Sequence, residues 1–412
     1  MEGEAPRPLA LRRAVSLPWL VLYGLGTTIG AGIYALTGVV AGRAGMAAPV
    51  AFAAASLLAL FTALSFAELS SRFPRAGGEA VYVLEGFRSL RLSRAVGLLV
   101  VLAGLVSAAT VCVGLVGYLS ALVDVPTSPT IAVVVLAAGG VAAWGVRESV
   151  TAAGLMTLVE VGGLVAVMVA GGAGLADLPS RAAEMVPTSL PAWSAVGAAA
   201  ILCFYAFLGF EDMVSVAEEV EDVKRALPRA ILVTLGASAL FYVGLASVAV
   251  LAVAPDELAR STAPLALVFE RGGGRPEILV GIAVVALGNG GLIQLMKGSR
   301  VLYGLSREGA LPPVFGYVHP RTRTPLVATA VATAVATAFA LALPLEQLAR
   351  LTSLVTLVTF ALANAALLRV KRRGPAPPDA RPVPAWVPAV GLLASAGFVV
   401  FELSRVVSGR LP

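Results

Sequence analysis

The sequence predicts an all-α polytopic membrane protein of about eleven transmembrane helices. Ten of them form two five-helix repeats of opposite orientation, with helices 1 and 6 broken. Three observations carry this prediction. Apolar stretches of bilayer-crossing length follow one another, with short polar breaks, over nearly all of the 412 residues. The first stretch is interrupted by Gly26, Gly30 and Gly32, which a plain anchor helix has no use for. The sixth is interrupted at Gly209 and then carries Glu211 and Asp212 inside an otherwise apolar run. Broken helices at matching positions of two five-helix halves point to an inverted-repeat transporter with its site near the midplane.

Composition agrees. Hydrophobic residues make up 58% of the chain and charged ones 13%, and the mean hydropathy is +0.90, which excludes an ordinary soluble enzyme. The two cysteines, Cys112 and Cys203, lie in apolar runs, so neither a disulfide framework nor a cysteine metal site is indicated. A lone histidine, His319, excludes a histidine-only metal cluster. No zinc-type His-Glu-x-x-His or Gly-x-Ser-x-Gly motif is present, and no cofactor is implied. The polar opening, residues 1–16, is followed by an apolar run too long for a signal-peptide core, which reads as a retained first span.

In order, spans are expected at 17–42, 46–67, 94–123, 129–146, 150–172, 193–217, 229–253, 276–304, 325–344, 347–369 and 385–406. The first repeat then covers 17–172, the second 193–370, and 385–406 is an additional C-terminal helix. Glycines dilute the fourth span. The longest polar connections, 68–93, 173–192, 254–275 and 305–324, are too short to fold alone. The Pro-rich run Gly374–Pro378 reads as an extended connector.

Orientation follows from lysine and arginine. With the N-terminus cytoplasmic, twenty-one of the 30 basic residues fall inside, including Arg7, Arg12, Arg13, Arg147, Arg307, Arg323 and Lys371. Eight, among them Arg43, Arg350 and Arg410, fall outside, and Lys297 sits within a span. The net charge of +6 therefore reports topology and contact with anionic lipid, and no nucleic-acid partner is indicated. The alanine- and arginine-rich composition suggests a prokaryotic plasma membrane.

At the first break the chain leaves backbone N–H and C=O groups without partners at a depth where lipid offers none. Such backbone persists where it lines a cavity or is satisfied by a solute. The half-helix beginning near Gly32 aims free N–H groups and positive partial charge into that space, which suits a carboxylate. The alternative is that these glycines only let helices pack closely.

The residues around both breaks resemble the amino acid–polyamine–organocation permeases. Gly30-Ala31-Gly32-Ile33-Tyr34 is similar to that family's glycine-rich break, and Phe207-Leu208-Gly209-Phe210-Glu211 to its aromatic–glycine–phenylalanine–acid motif. Ala217-Glu218-Glu219, Leu227-Pro228-Arg229-Ala230-Ile231, the run from Ser299 through Glu308 to Pro312, and His319-Pro320-Arg321-Thr322-Arg323-Thr324-Pro325 match in order between about residues 15 and 370. The resemblance implies the LeuT-like fold and transport by alternating access. It places the substrate carboxylate on the N–H groups of Gly30, Ala31 and Gly32. The α-ammonium falls to carbonyls near Ile29 and of Tyr205, Ala206 and Leu208, with Phe207 and Gly209 completing the second break. The family usually has twelve spans, and the eleven found here leave the oligomeric state open.

Four further polar residues are candidates. Glu211, an acid at membrane depth, either meets a basic group of the substrate or a proton, or caps the second half of its helix and pairs within a cytoplasmic gate. Asp212 reads as a solvated or gating charge. Asn289, in Gly288-Asn289-Gly290-Gly291, is a gate residue, a substrate contact or an interhelical hydrogen bond. Glu160 and Lys297 lie at matching depths, about 15–20 Å from the cytoplasmic ends of the fifth and eighth spans. In the related fold those spans meet beside the first break, so the expectation is a Glu160–Lys297 pair in place of a sodium ion, with Glu160 able to take a proton. The alternative is that Lys297 snorkels and Glu160 bonds elsewhere.

The function expected is secondary transport of amino acids, proton-coupled or by exchange, with protons as the possible co-substrate. A polyamine or organic amine permease, or a non-transporting membrane sensor on the same fold, are the alternatives.

Overall fold

The first span already departs from a plain helix. Ser16 precedes it with extended backbone and Pro18 occupies the first turn, where its missing N–H costs nothing. The helix runs Leu17–Thr28, stops, and resumes at Ala31–Tyr34 and Leu36–Ala44, with Ala35 keeping right-handed helical angles between the two pieces. This computed structural model describes residues 15–75, 78–144, 150–307, 309–322, 324–378 and 380–407. Most of the N-terminal segment, with Arg7, Arg12 and Arg13, lies outside the described residues, as do Arg147, Glu308, Arg323 and Arg410.

Among the described residues nine helical stretches are long and apolar enough to cross a membrane, and Leu326–Ala342 is a shorter apolar helix. One stretch, Leu36–Arg72, has 37 residues, or about 55 Å at 1.5 Å per residue, against a hydrocarbon core of about 30 Å. Gly45, at φ 58°, turns the chain there, a conformation glycine adopts without penalty. Leu36–Ala44 therefore ends the first span and Ala48–Arg72 is the second. The others are Leu90–Ser120, Thr127–Trp144, Val150–Ala170, Leu190–Ala206 continued by Phe210–Glu219, Val223–Ala252, Pro276–Arg307, Leu326–Ala342, Leu345–Arg373 and Trp386–Val407. Among the described residues eleven crossings result.

The polar connections hold more helix than the sequence suggested. Gly78–Phe87 follows the second span, and Pro255–Arg260 and Pro264–Arg271 follow the seventh. None is long enough to cross, but the first buries Glu79 and Tyr82 against the spans.

Packing has the symmetry that two opposed halves require. The second span packs on the seventh, the third on the eighth and the fourth on the ninth. The first half of span 1 packs on the seventh span, just as the sixth packs on the second. Small residues allow the close approaches: a Cβ on Gly86 would collide with Ala366, and one on Gly139 with Thr333. An aromatic cluster of Phe66, Tyr82, Phe210 and Phe360, with centroids 5.3–5.9 Å apart, fastens the second, sixth and tenth spans together.

Candidate functional site

Both breaks are local consequences of sequence. Ile29 turns extended (φ −77°, ψ 115°) and its N–H closes the first half-helix on the Leu25 carbonyl at 2.7 Å. The second half restarts with Ile33 and Tyr34 donating to the Gly30 carbonyl at 3.2 and 3.1 Å. The N–H groups of Gly30, Ala31 and Gly32 precede the first such bond and have no acceptor within their helix. In the sixth span, Phe207 N–H donates to the Phe204 carbonyl at 3.0 Å and Leu208 N–H to that of Tyr205 at 3.2 Å. Gly209 then takes φ 125°, which L-residues with side chains avoid, and the chain leaves as a 3₁₀ segment, Phe210–Glu219.

The breaks touch each other. A Cβ on Gly32 would fall on the Ala206 backbone, and one on Gly209 on the Thr27 carbonyl. Thr27 Oγ1 lies 3.0 Å from both the Gly24 and Gly209 carbonyl oxygens. Tyr242 of the seventh span donates its hydroxyl to the Thr28 carbonyl at 2.9 Å. Tyr34, in the first turn after the break, donates to the Glu160 backbone carbonyl at 3.0 Å and its own carbonyl accepts from Tyr118 at 2.7 Å. Neighbouring helices thus fix both half-helix ends.

A cavity of about 40 Å³ lies at this junction, room for one or a few waters' worth of polar atoms. Ile29, Gly30, Gly32, Tyr205 and Leu208 line it, with Gly26, Thr27 and Thr28. The third span adds Ser107 and Val111, and the eighth adds Gly290, Ile293 and Gln294. Tyr205 Oη sits 3.1 Å from Ser107 Oγ. Ala206 backs Gly32, and the Phe207 ring packs on Tyr242, centroids 5.1 Å apart. Ser107 and Gln294 were missed by sequence reasoning. The available signal was a polar residue in an apolar helix, at the three- and four-residue spacing that puts Gly290, Ile293, Gln294 and Lys297 on one face. Asn289 lies off that face, half-buried and away from the cavity lining.

The charges are arranged differently from expectation. Lys297 pairs with Asp212, not with Glu160. Equal depth along two helices does not fix which way each side chain faces, and Lys297 projects toward the sixth span. Gln294 Nε2 donates to the other Asp212 oxygen at 3.4 Å. Asp212 is therefore a buried, paired group and not a solvated one. Glu211 accepts the Gly209 N–H at 2.8 Å, capping the break. Glu79, Glu211, Asp212 and Lys297 surround a second cavity of about 160 Å³. Burial pushes the Glu79 carboxyl above the usual carboxylate range, against the opposing pull of Lys297. Glu160 is 2% exposed and its Oε2 has no hydrogen-bond partner.

Among the described residues no group of histidine, cysteine, aspartate and glutamate could hold a metal ion. The arrangement sets amide N–H groups of the first span on one side, helix-end carbonyls of the sixth on the other, and side chains of the third and eighth spans beside them.

Comparison with known proteins gives a coherent result. A family profile described as amino acid permease matches residues 16–407. The chain is 28% identical to the branched-chain amino acid permease BcaP of Bacillus subtilis, over 93% of this chain and 86% of that protein. It is 31% identical to the cationic amino acid transporter 3, mitochondrial, of Arabidopsis thaliana, over 91% of this chain and 64% of that one. An uncharacterised transporter of Mycobacterium tuberculosis is 33% identical, over 88% and 81%. The chain spans just under two thirds of the length of the plant relative.

Proposed function

The chain belongs to the amino acid permease family, and on that premise we propose that it is a secondary transporter carrying α-amino acids across the plasma membrane by alternating access. One observation carries the reading: two helix breaks in contact, with Gly30 and Gly32, at the start of the second half-helix, bordering the cavity that Tyr205 and Leu208 close from the other side. The N–H groups take the carboxylate and the carbonyls at the end of the sixth span's first half take the ammonium. Rocking of the two broken helices against the other spans exposes the site to each side in turn.

Coupling is to protons or to exchange, and not to sodium, because the Lys297 ammonium stands one helical turn from the cavity residue Gln294. Glu160 is the proton carrier of this reading. Its unpartnered oxygen is buried, and its backbone carbonyl holds Tyr34 at the start of the second half-helix. A proton gained or lost there bears directly on the first break. The N-terminus is cytoplasmic and the membrane is a prokaryotic inner membrane.

A polyamine or other organic amine is the second reading, favoured by the three carboxylates around the second cavity. Purified protein in proteoliposomes tests both. Uptake of labelled amino acids is expected to rise with an inward acid gradient or an internal amino acid load and to ignore sodium. Glu160→Gln is expected to remove the pH dependence. Uptake of polyamines alone, or strict dependence on sodium, would contradict the reading.

A further inference from the structure

The cavity between the breaks carries one polar side-chain group that the backbone site does not use. Gln294 forms part of its floor, and the carboxamide orientation is set from below. Nε2 faces Asp212 Oδ2 at 3.4 Å; turning the amide over would bring two oxygens together. Oε1 is thereby directed away from Asp212, buried and without a hydrogen-bond partner. A buried acceptor left unmade is costly, so such a group calls for a donor.

The space beside that oxygen is bounded by a glycine. Gly104 of the third span has no side chain, and a Cβ built there would stand 3.5 Å from Gln294 Oε1. Gly104, Ser107 and Val111 share one helix face at three- and four-residue spacing, and the latter two line the cavity. Gly104 thus stands one turn toward the cytoplasm from Ser107, and the side chain it lacks leaves Gln294 Oε1 uncovered on that side. Beyond it stand Glu79, Glu211 and the Asp212–Lys297 pair.

We propose that Gln294 is the specificity-determining side chain of the site, with Oε1 accepting a hydrogen bond from a donor at the tip of the substrate's side chain lodged beside Gly104. The class selected is an α-amino acid whose side chain ends in N–H, ammonium, guanidinium or amide, over its aliphatic isostere. The same amide donates to Asp212, so a filled gap also tightens the link to the Asp212–Lys297 pair that divides the two cavities. This inference rests on the amino acid permease reading and adds the choice of side chain to it.

Equilibrium binding to the purified full chain, by titration calorimetry, tests it with two pairs: lysine against norleucine, and citrulline against its aliphatic isostere. The wild-type protein is expected to favour the N–H-bearing member of each pair by about tenfold or more. Gln294→Leu is expected to bring both ratios near one. Gln294→Glu is expected to raise the lysine ratio and leave that of citrulline lower, and Gly104→Ala to weaken lysine more than alanine. Wild-type ratios near one, or wild-type ratios above one that survive Gln294→Leu, would overturn the proposal. If Gln294→Leu does not fold, unchanged ratios in Gln294→Glu and Gly104→Ala overturn it in the same way. Failure of the wild-type protein to bind any amino acid would instead overturn the permease reading itself.

Discussion

Glycine at position 209 carries two burdens at once: φ of 125° and a backbone oxygen, that of Thr27, in the space a Cβ would fill. Gly209→Ala is expected to cost about 1–3 kcal/mol in stability, read by thermal unfolding. It should also push the two breaks apart, weakening amino acid binding at least tenfold. Wild-type stability and affinity together would show that the contact between the breaks is incidental. Glu79 gives a pH test. Its carboxyl is held above the ordinary range by burial, so the folded state binds the proton more tightly than the unfolded one. Its contribution to stability is present below the unfolded-state value and is lost as pH rises through the folded one. Glu79→Gln should therefore stabilise the protein at alkaline pH relative to wild type and change little at acid pH. The opposite slope in thermal melts would mean that Lys297, and not burial, governs the group.

At this scale the sequence was partly legible. That Ile29, Gly30, Gly32, Tyr205 and Leu208 stand at helix breaks and line one cavity was legible because a glycine in an apolar helix is itself a physical signal. The partners of side chains could not. Depth is readable from position along a helix, but facing depends on the rotation of each helix against its neighbours. Lys297 consequently meets Asp212, and the expected pairing with Glu160 is absent. Gln294 escaped notice because one polar residue in a membrane helix has many bland explanations.

At the scale of elements, spans were legible because hydrocarbon thickness sets their length, and the expected boundaries differ from Leu90–Ser120 or Leu326–Ala342 by only a few residues. The short helix Gly78–Phe87 was not, since it lies in a polar connection with no spanning signal and draws its order from packing against the tenth span. The eleventh span is tied down at its N-terminal end through the second and tenth. Glu68, fully buried, accepts from Arg72 Nε, Lys371 Nζ and the Val383 N–H, each at 2.8 Å. Glu68→Gln leaves two cations without their counter-charge and is expected to destabilise the protein by about 3–5 kcal/mol. A loss under about 1 kcal/mol in chemical unfolding would show that the knot is incidental and that apolar packing alone holds the eleventh span.

For the whole molecule, the pairing of spans two with seven, three with eight and four with nine leaves the broken first and sixth helices facing each other at the centre. That geometry gives one small polar chamber between the breaks and a charged one beneath it, separated by Gln294, Asp212 and Lys297. The account stands on the two ends of a zwitterion being held by backbone alone. Titration calorimetry of the purified protein with leucine, with its decarboxylated amine and with its deaminated acid tests this most directly. The account predicts that the intact amino acid binds at least about 100-fold more tightly than either fragment. An amine that binds as well as leucine would contradict it.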